Sequence, residues 1–316
     1  MNKCLYCYKE LNGEQDFHTK CSIAFFGSDE VLELNYSMSE MNALAKQVVN
    51  RSITVPGVQA KLSMGLVEEV QQKGKYRLTI VGELGGKYIF KPPTVDYPEM
   101  PENEHLTMRI AELLGVNVVP SSLIRLKSGE LAYITMRIDR TKDGAKVHML
   151  DMFQITEAFD KYKSSMEKVA KAVNQYSDNT LFDKLRLFEL LLFSFLTGNS
   201  DMHLKNFSMI KNGEKWILSP AYDLLNVTIL LPEDTEELAL TLGGKKKKIS
   251  WELFEDFGVN IGLNKKQMNA VRKRFILGKE GVNNLIDQSF LSEKMREEYK
   301  GLMESRYIRL KMIDVN

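Results

Sequence analysis

Asp201, His203, Lys205 and Asn206 stand together in the string Gly198-Asn199-Ser200-Asp201-Met202-His203-Leu204-Lys205-Asn206. The string follows directly on the most apolar run of the chain, Leu187 to Leu196. Polar groups at the end of a buried helix cost free energy unless they meet a partner. Asp201 and Asn206 are five apart, the spacing of a catalytic aspartate and a metal-binding asparagine in phosphoryl-transfer loops. Phe207 to Ile210, Asn212-Gly213 and Trp216 to Leu218 read as a β-hairpin. Such a hairpin carries Asp223, in Ser219-Pro220-Ala221-Tyr222-Asp223, back beside Asn206. A carboxylate and an amide oxygen meeting at the foot of a hairpin make a Mg²⁺ site of the kind that bridges nucleotide phosphates. Asp201 is then left to receive the proton of an attacking hydroxyl. Each residue alone reads as a loop cap; the three together, with the hairpin between them, read as a site.

Phosphoryl transfer also needs a cation on a strand, held by a glutamate on a helix. Tyr88-Ile89-Phe90-Lys91 ends a β run with a lysine whose apolar neighbours predict a buried stem. The helix that follows begins Pro101-Glu102-Asn103-Glu104-His105. Glu104 is the better placed partner for Lys91, with Glu102 in the first turn.

The three cysteines, Cys4, Cys7 and Cys21, all lie in the first 21 residues and join His18 in the pattern Cys-x2-Cys, ten residues, His-x2-Cys. An odd number of thiols cannot all pair as disulfides. Two ligand pairs of this spacing can wrap one tetrahedral ion, and Cys3His is a closed, structural Zn²⁺ set with no open coordination position. Asn12-Gly13 supplies a turn between the pairs. The alternative is a frayed terminus with three incidental thiols. Basic residues nearby are few (Lys3, Lys9, Lys20), so the segment reads as a clip and not as a nucleic-acid finger.

The elements that must position these groups follow from periodicity. Ser39 is the predicted N-cap of a helix through Met41, Leu44, Ala45 and Val48, in preference to Ser37. Short β runs follow at Leu62–Val70, Tyr76–Val81 and Lys87–Phe90. A helix after the Pro-rich stretch Pro92 to Pro101 places Leu106, Ile110, Leu113 and Leu114 on one face. Ser122–Leu126 and Leu131–Arg137 form a second hairpin around Ser128-Gly129. From about residue 150 the pattern is nearly all helical, with Phe182–Leu196 at its centre and further helices at 263–277 and 292–313. Lys245 to Lys248 reads as a solvated loop, with a contact for an acidic partner as the alternative.

The chain of 316 residues is long enough for two domains. With 44% apolar and 27% charged residues it is ordinary for a globular protein, which excludes disorder and collagen-like structure. Forty-three basic against 42 acidic residues leave +1, which gives no basis for wrapping nucleic acid or lying on an anionic membrane. Met1-Asn2-Lys3-Cys4 opens without a hydrophobic signal core. A soluble, cytoplasmic protein is expected.

Taken in order, Ser52-Ile53-Thr54-Val55-Pro56-Gly57-Val58-Gln59-Ala60-Lys61, Phe90-Lys91-Pro92, Asn103-Glu104, Gly198 to Ser208 and Tyr222-Asp223 resemble the HipA-type serine/threonine kinases of bacterial toxin–antitoxin systems. The resemblance runs from residue 52 to about 245. It implies an α+β, two-lobed protein-kinase-like fold, with a small β-rich lobe at 29–137 holding a phosphate-binding loop at 52–61. A helical lobe would occupy 138–316, with the catalytic loop at 198–208, and the zinc knuckle 1–28 would precede both. ATP and Mg²⁺ are the implied cofactors, beside structural Zn²⁺. Lys91 with Glu104 would align the phosphates, Asn206 and Asp223 would hold Mg²⁺, and Asp201, His203 and Lys205 would be catalytic. Lys61 would reach the phosphates or stand as a surface lysine on the outgoing strand.

The same resemblance implies autophosphorylation in the phosphate-binding loop, at Thr54 or Ser52. It implies an aminoacyl-tRNA synthetase as the protein substrate, inactivated to slow translation. A HipB-type helix-turn-helix antitoxin is the implied partner, with DNA reached only through it. His203 stands where protein kinases usually carry lysine, and Thr54 where the family usually has serine. Full-length relatives carry an extra N-terminal subdomain; here the knuckle stands in its place, so a compact member with a separate small partner protein is expected. Two other readings share the residues: a small-molecule kinase, which would not need Ser52 and Thr54, and a non-catalytic pseudokinase scaffold in a repressor complex.

Overall fold

Alternation of buried and outward side chains builds the first sheet. A computed structural model describes residues 2–29, 34–41, 43–44, 61–68, 76–81, 85–141 and 143–313. Five antiparallel strands, β1 (Leu62–Glu68), β2 (Tyr76–Ile80), β3 (Tyr88–Lys91), β4 (Ser121–Arg125) and β5 (Leu131–Met136), lie in the order β2-β1-β3-β5-β4. Leu62, Met64, Leu78, Tyr88, Phe90, Ile124, Ala132 and Ile134 share a core with Phe25 and Phe26 of α1 (Thr19–Phe26). Side chains one residue away point to the opposite face. Lys91 therefore leaves the aromatic core and lies with its register partner Tyr133.

The helix to which residues 38–41 and 43–44 belong is capped by Ser37, not by the predicted Ser39. Ser37 and Glu40 form a reciprocal capping box: Ser37 N–H donates to Glu40 Oε2 at 2.7 Å, and Glu40 N–H to Ser37 Oγ at 3.4 Å. The glutamate three residues on is the deciding signal. Ser39 Oγ lies 3.0 Å from the Ser37 hydroxyl. The phosphate-loop residues Ser52 and Thr54 lie outside the described residues.

α2 (Met100–Leu113) follows the prolines, with Glu102 in its first turn. Leu106, Ile110 and Leu114 are buried as the periodicity predicts, but Leu113 is half exposed, because the helix turns about 100° per residue and carries it past the edge of the buried stripe.

The helical part is built from α3 (Met152–Ile155), α4 (Met166–Tyr176), α5 (Thr180–Leu196), α6 (Val227–Leu230), α7 (Trp251–Asn260), α8 (Lys265–Gln288) and α9 (Glu293–Arg309). A second sheet, in the order β6-β7-β8, joins β6 (Met149–Asp151) to the hairpin β7 (Ser208–Asn212) and β8 (Lys215–Leu218). The hairpin was legible from Asn212-Gly213; β6, only three residues long, was not. Every residue of α5 from Leu187 to Leu196 is buried, as expected of a central helix, but Phe182, at the start of the predicted central run, is half exposed. α8 runs eleven residues past the predicted end at 277 because its glycines serve packing and do not stop it. A Cβ at Gly278 would run into Leu114 Cδ2, so glycine there permits close approach.

By compactness the chain divides into one unit of Met1–His105, Val119–Lys146 and Gln288–Phe290, and another of Leu106–Val118, Val147–Asp287 and Leu291–Asn316. Among the described residues, no helix is long and apolar enough to cross a membrane.

Candidate active site

The helical unit shapes the loop after α5 by ending that helix abruptly. Gly198 takes φ +68, and a Cβ there would clash with Leu302, Asn226 and Thr228 side chains. Its carbonyl accepts from the N–H groups of Val227 and Thr228, both at 3.1 Å. The loop then turns on itself: His203 N–H donates to the Asp201 carbonyl at 2.8 Å, and Asn206 Nδ2 to the same oxygen at 3.0 Å. Since the Asn206 amide nitrogen is engaged this way, its Oδ1 remains as the oxygen donor. Leu204 to Asn206 form a single 3₁₀ turn.

Asp201 Oδ1 accepts from the Tyr162 hydroxyl at 2.8 Å. The Tyr162 ring meets His203 edge-on at 5.1 Å, and Leu204 N–H donates to the Lys161 carbonyl at 3.1 Å. Burial raises the Tyr162 phenol above its ordinary range and the Asp201 charge adds to this, so the phenol remains the proton donor. Burial lowers the His203 pKa, against the pull of Asp201 and Asp223. Lys205 is exposed, its ammonium 5.0 Å from the Phe153 ring centroid.

Three buried polar atoms of this loop, Asn199 Nδ2, Ser200 Oγ and His203 Nδ1, have no hydrogen-bond partner among the described residues. Buried polar atoms are nearly always paired, so these three are open to water or to a polar ligand.

The β7–β8 hairpin returns the chain as its spacing predicts. Ser219 N–H donates to the Ser208 carbonyl at 2.8 Å. The Tyr222 hydroxyl donates to the Lys205 carbonyl at 2.9 Å and contacts Ser208 Oγ at 2.5 Å. Asp183, fully buried on α5, fastens β8 by accepting from Leu218 N–H at 2.8 Å. Asp223 follows with φ +56, a left-handed backbone that non-glycine residues adopt at a cost and that clusters at functional sites. The carboxylate of Asp223 and the amide oxygen of Asn206 are hard oxygen donors, a chemistry that fits Mg²⁺.

In the β-rich unit, Lys91 Nζ meets Glu104 Oε1 at 2.5 Å with both residues nearly fully buried. The ammonium also lies 5.2 Å from the Tyr133 ring centroid. Glu102, one turn edge away, takes no part; burial, with Glu99 adding, raises it to about 7. Lys61 is exposed immediately before β1.

The ligating atoms of Cys4, Cys7, His18 and Cys21 all lie within 4.8 Å of one another. His18 Nδ1 is 3.4 Å from Cys7 Sγ and 3.9 Å from Cys21 Sγ. His18 Nε2 donates to the Glu10 carbonyl at 3.0 Å, which leaves the Nδ1 lone pair facing the thiols, the arrangement of a metal-bound histidine. Burial and the charges of its fellow thiols push Cys21 up to about 12. Three sulfurs and one imidazole nitrogen this close together are a donor set that fits a tetrahedral Zn²⁺.

Tyr162, Asn199 and Ser200 were not among the sequence-predicted site residues. Asn199 and Ser200 lie inside the predicted catalytic loop and carried a positional signal. Tyr162 lies 39 residues before Asp201 in a segment without periodicity, and no spacing reveals it.

A model of the HipA-like C-terminal domain matches residues 53–278. A putative kinase of Haemophilus influenzae is 29% identical over 296 residues, covering 83% of this chain and 82% of that protein. The serine/threonine-protein kinase toxin HipA of Shewanella oneidensis is 27% identical over 206 residues, 58% of this chain and 45% of the toxin. Among solved structures, the complex of Shewanella oneidensis HipA with HipB and its operator DNA contains a chain similar in fold. The TM-score is 0.66 at 22% identity, over 82% of this chain and 65% of that one. With the α+β architecture and the ordered motifs already described, the match over residues 53–278 establishes that the chain belongs to the HipA-like C-terminal domain family.

Proposed function

We propose that the chain is an ATP- and Mg²⁺-dependent kinase of protein serine and threonine hydroxyls, acting as the toxin of a HipBA-like toxin–antitoxin pair. The observation that carries this reading is the loop in which Asp201, Asn206 and three unpartnered buried polar atoms converge. ATP bound with Mg²⁺ supplies the γ-phosphoryl group and the charge compensation for its transfer.

The chain's own residues have separable tasks in this reading. Lys91, held by Glu104, aligns the α- and β-phosphates; Asn206 and Asp223 are the Mg²⁺ ligands. Asp201 orients the acceptor hydroxyl and takes its proton, with Tyr162 fixing the carboxylate through Oδ1. His203 and Lys205 donate toward the transferred group, and Lys61 is the proposed further contact to the phosphates. Cys4, Cys7, His18 and Cys21 bind a structural Zn²⁺.

Ser52 and Thr54 are the proposed autophosphorylation acceptors, and an aminoacyl-tRNA synthetase the proposed substrate. A HipB-type helix-turn-helix antitoxin is the proposed partner in the cytoplasm, in keeping with the HipB named in the related complex; DNA is reached only through it. A separate small protein would stand for the N-terminal subdomain of longer relatives. The test is to incubate the purified chain with labelled ATP and Mg²⁺ and map the phosphate by peptide mass spectrometry. Label on Ser52 or Thr54, absent in Asp223→Ala, supports the reading; nucleotide bound without any transfer contradicts it.

A further inference from the structure

The Cys4–Cys7 turn does more than close on itself. Cys4 N–H donates to the Lys9 carbonyl and Tyr8 N–H to the Cys4 carbonyl, both at 2.9 Å. Tyr8 is thereby held at φ +66, a conformation unusual for a bulky residue and kept only where surroundings impose it. From that position the buried Tyr8 hydroxyl shares a hydrogen bond of 2.9 Å with His105 Nδ1, and its ring packs edge-on against His105 at 5.2 Å and Phe290 at 5.4 Å. His105 is the residue next to Glu104 on α2. Neighbouring side chains on a helix are about 100° apart, so holding His105 sets the rotation at which Glu104 faces Lys91.

The same turn holds the sheet. The Leu5 carbonyl accepts from Leu123 N–H of β4 at 3.3 Å, and Leu5 N–H donates to the Asp16 carbonyl at 2.9 Å. Asp16 Oδ1 in turn accepts from Arg125 Nε, at the end of β4, at 3.0 Å. β4 pairs with β5, whose Tyr133 lies under the Lys91 ammonium. One small loop thus touches both the helix that carries Glu104 and the sheet that carries Lys91.

We propose that Zn²⁺ held by Cys4, Cys7, His18 and Cys21 is the positioning device for the Lys91–Glu104 pair. The ion fixes the strained turn, the turn places Tyr8, and Tyr8 sets the register of α2 through His105. Tyr8 and His105 are positioning residues, not catalytic ones. The inference rests on the zinc reading of the cluster and on the role proposed for Lys91 and Glu104.

The test uses the full chain. Its metal content is measured, zinc is stripped with a chelator and restored, and amide hydrogen exchange is followed for residues 2–29 and 103–107. Phosphoryl transfer is assayed in parallel. About one zinc per chain is expected, with faster exchange at 103–107 on stripping and recovery on adding zinc back. Because zinc-ligand variants can fail to fold, Tyr8→Phe is the second arm. It keeps the ring, the zinc and slow exchange at 2–29, yet speeds exchange at 103–107 and lowers kcat roughly threefold to tenfold, the effect of one lost hydrogen bond. Absence of zinc, or stripping that loosens 2–29 alone, overturns the proposal, as does a Tyr8→Phe chain with unchanged exchange at 103–107. If the wild type transfers no phosphate, the kinase reading fails, while the exchange data still decide whether the knuckle holds α2.

Discussion

Lys91 and Glu104 form a buried ion pair, Nζ to Oε1 at 2.5 Å, linking the last residue of β3 to the first turns of α2. A pair so fully removed from water is costly to make and costlier to break. Glu104→Gln strips Lys91 of its counter-charge and is expected to destabilise the fold by about 3–5 kcal/mol. The double variant Lys91→Met with Glu104→Leu replaces the pair by apolar groups and should regain most of that stability without regaining phosphoryl transfer. Urea unfolding of the single and double variants checks this; a double variant no more stable than the single would show that the pair is not the source of the cost.

Tyr162→Phe removes the hydroxyl that donates to Asp201 Oδ1. The expected outcome is a kcat lower by roughly threefold to tenfold with the KM for ATP unchanged, because the hydroxyl orients the carboxylate and has no part in nucleotide alignment. Steady-state kinetics over a range of ATP concentrations separate the two parameters; a raised KM with unchanged kcat would place Tyr162 in nucleotide binding instead.

Gly198→Ala places a methyl group against Leu302, Asn226 and Thr228 at a residue with φ +68. Left-handed backbone and overpacking together should cost about 1–3 kcal/mol and disturb the loop that carries Asp201. Thermal and urea unfolding test the first part. Stability equal to the wild type would mean that the helix end tolerates a Cβ and that its shape does not depend on glycine.

Glu102 gives a pH dependence of known sign. Its pKa in the folded chain, about 7, stands above the ordinary 4.5. The folded state therefore holds this proton more tightly than the unfolded state. That contribution to stability is fully present below the unfolded pKa and is lost as pH rises through the folded one. Glu102→Gln, which cannot ionise, should melt roughly 2–4 °C higher than wild type at about pH 8 and differ little at about pH 5. An equal shift at both pH values would remove burial of the carboxylate as the cause.

How much could be read beforehand follows the range over which each signal acts. Lys91 and Glu104 were legible because strand alternation and the first helical turn are local patterns, and both placed the two side chains on a buried face. The return of the chain to Lys205 and Ser208 was legible because Asn212-Gly213 signals a hairpin and a hairpin must return. Tyr162 was not, since its bearing on Asp201 is set by the packing of α3, α4 and the 3₁₀ turn, which no local period encodes. The Ser37 cap was misread as Ser39 although Glu40 stands three residues after Ser37, the reciprocal partner of a capping box. The extent of α8 was misread because Gly278 and Gly281 look like stops in one dimension and are close-packing positions in three.

The central claim is that Asp201 receives the proton of an attacking protein hydroxyl. It is tested most directly by measuring phosphate transfer from labelled ATP in the wild type and in Asp201→Asn, with zinc content and melting temperature confirmed unchanged. The account predicts label on serine or threonine in the wild type and a loss of about 10²–10⁴-fold in Asp201→Asn. Transfer at the wild-type rate by folded Asp201→Asn would contradict it.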